Sequence, residues 1–338
     1  IAAILYTSGT TGRSKGAMLS HDNLASNAVA LHKMWGFVPG DVLLHALPIY
    51  HVHGLFVALH CALLNGSKVW FLPKFDIETV LALLPKSTVM MGVPTFYVRL
   101  LGDQRFDRSL SEHMRLFVAG SAPLLAETFS EFEDRTGQRI LERYGMTEIG
   151  MGISNPYNGE RRAGAVGQAL PGVECKLFDE YDGPITEDAV AGEIRIKGDN
   201  VFLEYWDNET ATTESFKDGW FCTGDIGAMD SEDRVSYLGR VKDMLKVGGE
   251  NVAAVEIESL LQTHPSVSIA QVIAVPDAKY VEVPAAYIEL RPDCGATEKE
   301  VIDFCDGKIA GFKIPRYVRF VSAREWPMSA TKIQKFRL

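Results

Sequence analysis

Nothing in this sequence supplies a covalent cross-link, a membrane span or a face for polyanions. Its five cysteines (Cys61, Cys175, Cys222, Cys294 and Cys305) are scattered, odd in number and never spaced as a CxxC pair. That spacing excludes a disulfide framework and a zinc-ribbon site. It fits a reducing compartment, so a cytoplasmic location is expected, or an organelle matrix in a eukaryote. No apolar run reaches membrane-spanning length, and even residues 54–64 are interrupted by His60. A net charge of −10 argues against a general nucleic-acid binder. There is no signal-peptide pattern, no internal repeat and no low-complexity tract, and no oligomeric interface is legible. The chain opens at Ile1 in an apolar run that reads as the end of a strand, so a piece of a longer polypeptide is expected.

What is present suits a soluble chain of two domains: 338 residues, 46% hydrophobic and 23% charged. Short apolar runs at 43–48, 68–72, 88–92 and 116–119 read as buried strands. Helical patterns at 21–35, 77–84, 94–101 and 126–136 alternate with them, which predicts an α/β layered domain with a largely parallel sheet. After about Gly164 the texture turns to strands and turns, and after Arg240 to a small α+β domain. The last 32 residues carry eight Lys or Arg against one acid, Glu325, which suits either a solvated surface or an anionic ligand.

The densest chemistry lies in "YTSGTTGRSKGAML", residues 6–19, which combines glycines, hydroxyls and cations. Glycines let backbone N–H groups approach phosphate oxygens, and Lys15 adds charge. A P-loop would need its lysine next to a glycine and then Ser or Thr. Here Arg13 and Ser14 separate Gly12 from Lys15, and Gly16 follows, which disfavours a P-loop kinase or GTPase.

The loop resembles the signature of the adenylate-forming superfamily of acyl-CoA synthetases, adenylation domains and luciferases. Further motifs of that family follow in order: "ERYGMTE" at 142–148, "GWFCTGD" at 219–225, "GRVKDMLKVGGENV" at 239–252 and "MSATKIQKF" at 328–336. The resemblance implies a large domain over 1–239, lacking its first part, and a mobile small domain over 240–338 hinged near Lys242. It implies two half-reactions: a carboxylate attacks the α-phosphate of ATP to give an acyl-adenylate, and coenzyme A then displaces AMP. Thr7, Ser8, Gly9, Thr10, Thr11, Gly12 and Lys15 would hold the phosphates. Thr147 would meet the α-phosphate, and Glu148 with Thr10 would ligate Mg2+. Gly120, Ser121, Ala122, Glu142, Tyr144 and Gly145 would enclose adenine, while Asp225 and Arg240 would hold the ribose. Lys332 resembles the family's adenylation lysine. Lys246, Gly248 and Gly249 would serve thioester formation and the coenzyme A arm.

For the acid, "LPIYHVHGLFVAL" and "VMMGVPTFYVRLL" resemble malonyl-CoA synthetases more closely than fatty-acid ligases. A second carboxylate needs a cation, and Arg99 falls at the position matched to that group's malonate-binding arginine, with His51 and Ser121 beside it. Three departures stand against the pattern. Thr331 replaces the glycine before Lys332, Val281 stands where a glycine is common, and "EWPMSATKIQKFRL" looks more like ligases of apolar acids. A medium- or long-chain fatty-acid ligase is therefore the alternative reading, and an inactive nucleotide-binding module is the alternative of another class.

Overall fold

The computed structural model describes residues 1–7, 14–329 and 332–338, and these divide into two units. The first comprises Ile1–Thr223 and Gly227–Tyr237, the second Gly224–Ile226 and Leu238–Leu338.

In the first unit, β1 (Ala3–Thr7) and β2 (Lys15–Leu19) form an antiparallel pair in which Thr7 faces Lys15. Helix α1 (His21–Met34) begins at Ser20, whose hydroxyl and the Asn23 side chain form a reciprocal capping box. There follow β3 (Val42–His45), β4 (Lys68–Phe71), α2 (Ile77–Leu83), β5 (Val89–Gly92), α3 (Pro94–Leu101), β6 (Leu116–Ala119), α4 (Ala126–Thr136) and β7 (Leu141–Met146). These strands pair in the order β4-β3-β5-β6-β7, every junction parallel. Strands β5 and β6 are buried along their whole length, as parallel strands covered on both faces must be. Beneath α3 and α4, Tyr97, Phe106, Phe117 and Phe132 form an edge-to-face aromatic core. Burial of each such ring contributes roughly 1.5–3 kcal/mol.

The same sheet then changes character. Strands β8 (Gly150–Ser154) and β9 (Ala165–Ala169) add antiparallel, and Val235–Arg240, Trp220–Met229, Ala191–Gly198 and Val173–Phe178 extend it. The switch from parallel to antiparallel pairing within one hydrogen-bonded sheet falls between β7 and β8, ahead of the change of texture near Gly164. A two-residue strand, β10 (Glu204–Tyr205), joins β2 instead.

The second unit is a small α+β layer. Strands β11 (Met244–Val247) and β12 (Glu250–Ala253) form a hairpin closed by Gly248 and Gly249, both with positive φ (+61° and +94°). A two-residue turn with both residues left-handed is what glycine supplies without strain. Helix α5 (Ala254–Gln262) packs on β13 (Val267–Asp277), which pairs with β14 (Val281–Leu290), and β15 (Tyr317–Phe320) joins β14 in parallel. Val281 takes φ +70°, so it adopts the conformation for which its position favours glycine. A last hairpin pairs β16 (Met328–Ser329) with β17 (Lys332–Ile333). Among the described residues no helix is long and apolar enough to cross a membrane.

Candidate active site

The parallel strands deliver their C-terminal ends to one edge, where open α/β sheets place their ligands. Their register aligns His45 with Met91 and Gly92 with Ala119, which in turn faces Glu142. One residue further on lie Gly120 and Arg143, and Ser121 follows Gly120.

Arg143 is the group that the motif reading passed over. It lies in the middle of β7, is 3% exposed, and its Nη2 donates to Ser121 Oγ at 3.3 Å. Its Nε has no hydrogen-bond partner. Burial pulls its pKa down to about 9, so the group is still a cation at neutral pH. Its guanidinium rests against Gly120, where an added Cβ would sit 2.4 Å from Cζ. Only glycine leaves it that space.

Ser121 holds φ +70°, a left-handed conformation uncommon outside glycine, and so is aimed by its surroundings. Its hydroxyl also lies 3.3 Å from Nδ1 of His53. Burial, followed by the Arg143 charge, pushes the pKa of His53 far down, so the ring is neutral. In the tautomer where the serine hydroxyl donates to Nδ1, the His53 proton resides on Nε2, which has no partner. The result is a buried cluster with N–H donors left over and a positive charge, which is a receptor for an anion. His45, at the end of β3, is fully buried beside Phe71 with both ring nitrogens unpartnered. Burial depresses its pKa to about 4.

The other two residues expected to hold the acid, Arg99 and His51, are both exposed, and the His51 charge is among those felt by His53. Arg99 is exposed in the last turn of α3, 4.5 Å above the ring of Phe75, with Nη1 3.5 Å from the Phe75 carbonyl. His51 is exposed and packs on Tyr50, with ring centroids 4.6 Å apart. The histidine that turns inward to Ser121 is His53.

Strand alternation points Glu142 and Tyr144, the residues expected to meet the nucleotide, away from Arg143. Tyr144 is buried and stacks near Tyr237 at 6.1 Å. Glu142 accepts from the Gly164 N–H at 3.2 Å, and burial pushes its carboxyl up to about 7. Gly145 has no room for a Cβ, which would meet the Gly150 carbonyl at 2.1 Å. Gly120 is buried, Ser121 half-buried and Ala122 exposed.

Of the residues expected to hold the phosphates, Thr7 and Lys15 flank the signature loop; Ser8, Gly9, Thr10, Thr11 and Gly12 lie outside the described residues. Thr7 Oγ1 donates to the Lys15 carbonyl at 3.4 Å. Thr147 and Glu148 occupy the turn between β7 and β8, with Glu148 buried and accepting from Tyr205 Oη at 2.8 Å. A single buried carboxylate suits Mg2+, which binds through one or two carboxylates together with substrate phosphates. Among the described residues no group of three or more His, Cys, Asp or Glu gathers as a protein-only metal cage.

In the second unit, Asp225 is 4% exposed and pairs with Arg240 Nε at 3.2 Å. Lys242 is exposed in a short turn over Val241–Asp243. Lys246 is exposed on β11, its N–H bound to Glu282 at 2.7 Å. The backbone of Lys332 lies on β17, and Thr331 lies outside the described residues. Three residues on, Lys335 Nζ meets the buried Glu258 at 2.5 Å.

The model of AMP-binding enzymes matches residues 1–206, and that of the AMP-binding enzyme C-terminal domain matches 256–332. The chain belongs to the AMP-binding enzyme family. It is 39% identical to the malonate–CoA ligase of Arabidopsis thaliana, over 93% of this chain and 56% of that protein. ATP-bound MatB from Rhodopseudomonas palustris superimposes with a TM-score of 0.94 at 49% identity, covering 100% of this chain and 67% of that one. The o-succinylbenzoate–CoA synthetase of Bacillus subtilis, solved with ATP and a magnesium ion, gives a TM-score of 0.86 at 31% identity, over 94% and 66%. The chain spans 56% to 61% of the length of the first curated relatives it matches.

Proposed function

We propose that this chain carries the active site of an ATP-dependent, AMP-forming acyl-CoA synthetase whose acid is malonate or a close analogue. The observation that carries the choice of acid is the buried donor cluster of Arg143, Ser121 and His53. A fatty acid would place methylenes there, leaving a buried cation and N–H donors unpaired, which is strongly unfavourable. A second carboxylate takes two parallel N–H bonds from Arg143 and a third from His53. Arg99, exposed on α3, is a secondary candidate for steering the dianion.

With that carboxylate anchored, the reacting one is directed at the α-phosphate near Thr147. Lys15 and the signature loop neutralise the leaving pyrophosphate, and Lys332 bridges the incoming oxygen and the α-phosphate. When bound, Mg2+ supplies charge neutralisation at the phosphates, and Glu148 with Thr10 would hold it. Asp225 and Arg240 receive the ribose, and Glu142, Tyr144 and Gly145 the base. The small domain, from residue 240 and hinged at Lys242, then presents Lys246, Gly248 and Gly249 to the thioester step. A cytoplasmic or organelle-matrix setting suits five cysteines that are all free.

The test is a panel of acids from malonate to palmitate, assayed for ATP- and coenzyme A-dependent thioester by the protein. Malonate or methylmalonate is expected to dominate. Preference for a long-chain monocarboxylate would overturn the assignment of the acid, and ATP binding without acid-dependent pyrophosphate release would overturn the enzyme.

A further inference from the structure

Tyr205 stands between two groups of the phosphate site without being part of any motif used above. It is 6% exposed. Its hydroxyl donates to the Glu148 carboxylate at 2.8 Å, and the ammonium of Lys15 sits 4.9 Å from the centre of its ring. The backbone fixes this arrangement from both sides. Leu203 and Trp206 donate to Met18 and Gly16 on β2, at 2.9 and 2.7 Å, next to Lys15. Phe202 donates to the Glu148 carbonyl at 2.7 Å.

Lys15 and Glu148 thus meet chemically different ends of one tyrosine: its ring face attracts the cation weakly, and its hydroxyl binds the anion directionally. Lys15 can leave a ring face for phosphate readily, while Glu148 keeps its orientation. We propose that Tyr205 is a positioning residue that orients Glu148 for the phosphate-bound magnesium ion and holds Lys15 apart from it until nucleotide arrives. This rests on the assignment of Lys15 and Glu148 to the phosphate site.

Tyr205→Phe keeps the ring and removes the hydroxyl; Tyr205→Leu removes both. Two readouts are taken: the Mg2+ dependence of pyrophosphate release, and calorimetric ATP binding with Mg2+ and with EDTA. In Tyr205→Phe the half-saturating Mg2+ concentration is expected to rise roughly tenfold, as for other partners of metal ligands, while ATP affinity in EDTA stays within about twofold of wild type. In Tyr205→Leu, ATP affinity in EDTA is also expected to fall, because Lys15 collapses onto Glu148. A wild-type Mg2+ dependence in Tyr205→Phe overturns the proposal. So does loss of a cooperative melt in that variant, which would make the role purely structural. Glu148→Gln and Lys15→Ala are measured alongside. If neither alters Mg2+ dependence or ATP affinity, the reading of the phosphate site itself fails, whatever Tyr205 does.

Discussion

Arg143 donates to the hydroxyl of Ser121, 22 residues earlier in the chain, from a guanidinium that lies against the backbone of Gly120. The relationship makes opposite predictions for stability and activity. A buried cation without an ionic partner costs stability in the absence of substrate, so Arg143→Leu is expected to raise the melting temperature of the free protein. The same change should lower kcat/KM for malonate by roughly a hundredfold or more, as for loss of one partner of a buried charge pair. Gly120→Ala should also impair malonate use, because the new methyl displaces the guanidinium. Arg99→Ala should cost less than about tenfold, since an exposed charge is screened. Steady-state kinetics and thermal melts check all three. Near wild-type malonate kcat/KM in Arg143→Leu would remove Arg143 from the substrate site.

Much of the architecture is legible before any coordinates. The strand at 116–119 and the helices at 94–101 and 126–136 form with the expected bounds, because each apolar pattern agrees with its flanking turn residues. Ser20 caps α1 as a serine before a helical run should. The proposed acid pocket is less legible, for two physical reasons. In "ERYGMTE" alternate residues face opposite sides of the sheet, so a reading centred on Glu142 and Tyr144 says nothing of Arg143. A signal was available, since an arginine inside a strand buried on both faces needs an anionic partner. In "HVHG" two histidines stand two residues apart. Which one turns inward depends on the π-helical turn of His53–Ala58, a geometry that sequence periodicity does not reveal.

Lys246 and Lys332 belong to the same small unit but to different strands, β11 and β17. If they serve different half-reactions, single substitutions must separate those halves. Lys332→Ala is expected to reduce malonate-dependent pyrophosphate release by at least about a hundredfold, as for a group acting on the transition state. It should leave thioester formation from supplied malonyl-adenylate largely intact. Lys246→Ala should do the reverse. The check is pyrophosphate release measured beside single-turnover thioester formation, and equal loss of both halves in both variants would refute the division.

Glu142 gives the protein a pH dependence of predictable sign. Its carboxyl is 5% exposed, and burial raises its folded-state pKa to about 7 from an ordinary value of 4.5. Between those two values the unfolded chain has released its proton while the native protein still holds it. Where the native state binds more protons than the unfolded state, stability falls as pH rises. The contribution is therefore complete below about pH 4.5 and is lost as pH passes through about 7. Glu142→Gln keeps the shape and never ionises, so its melting temperature should lack this slope. Melts at intervals between about pH 5 and 8 should show the wild type losing ground against the variant as pH rises. A constant difference across that range would mean that Glu142 titrates as an ordinary carboxylate.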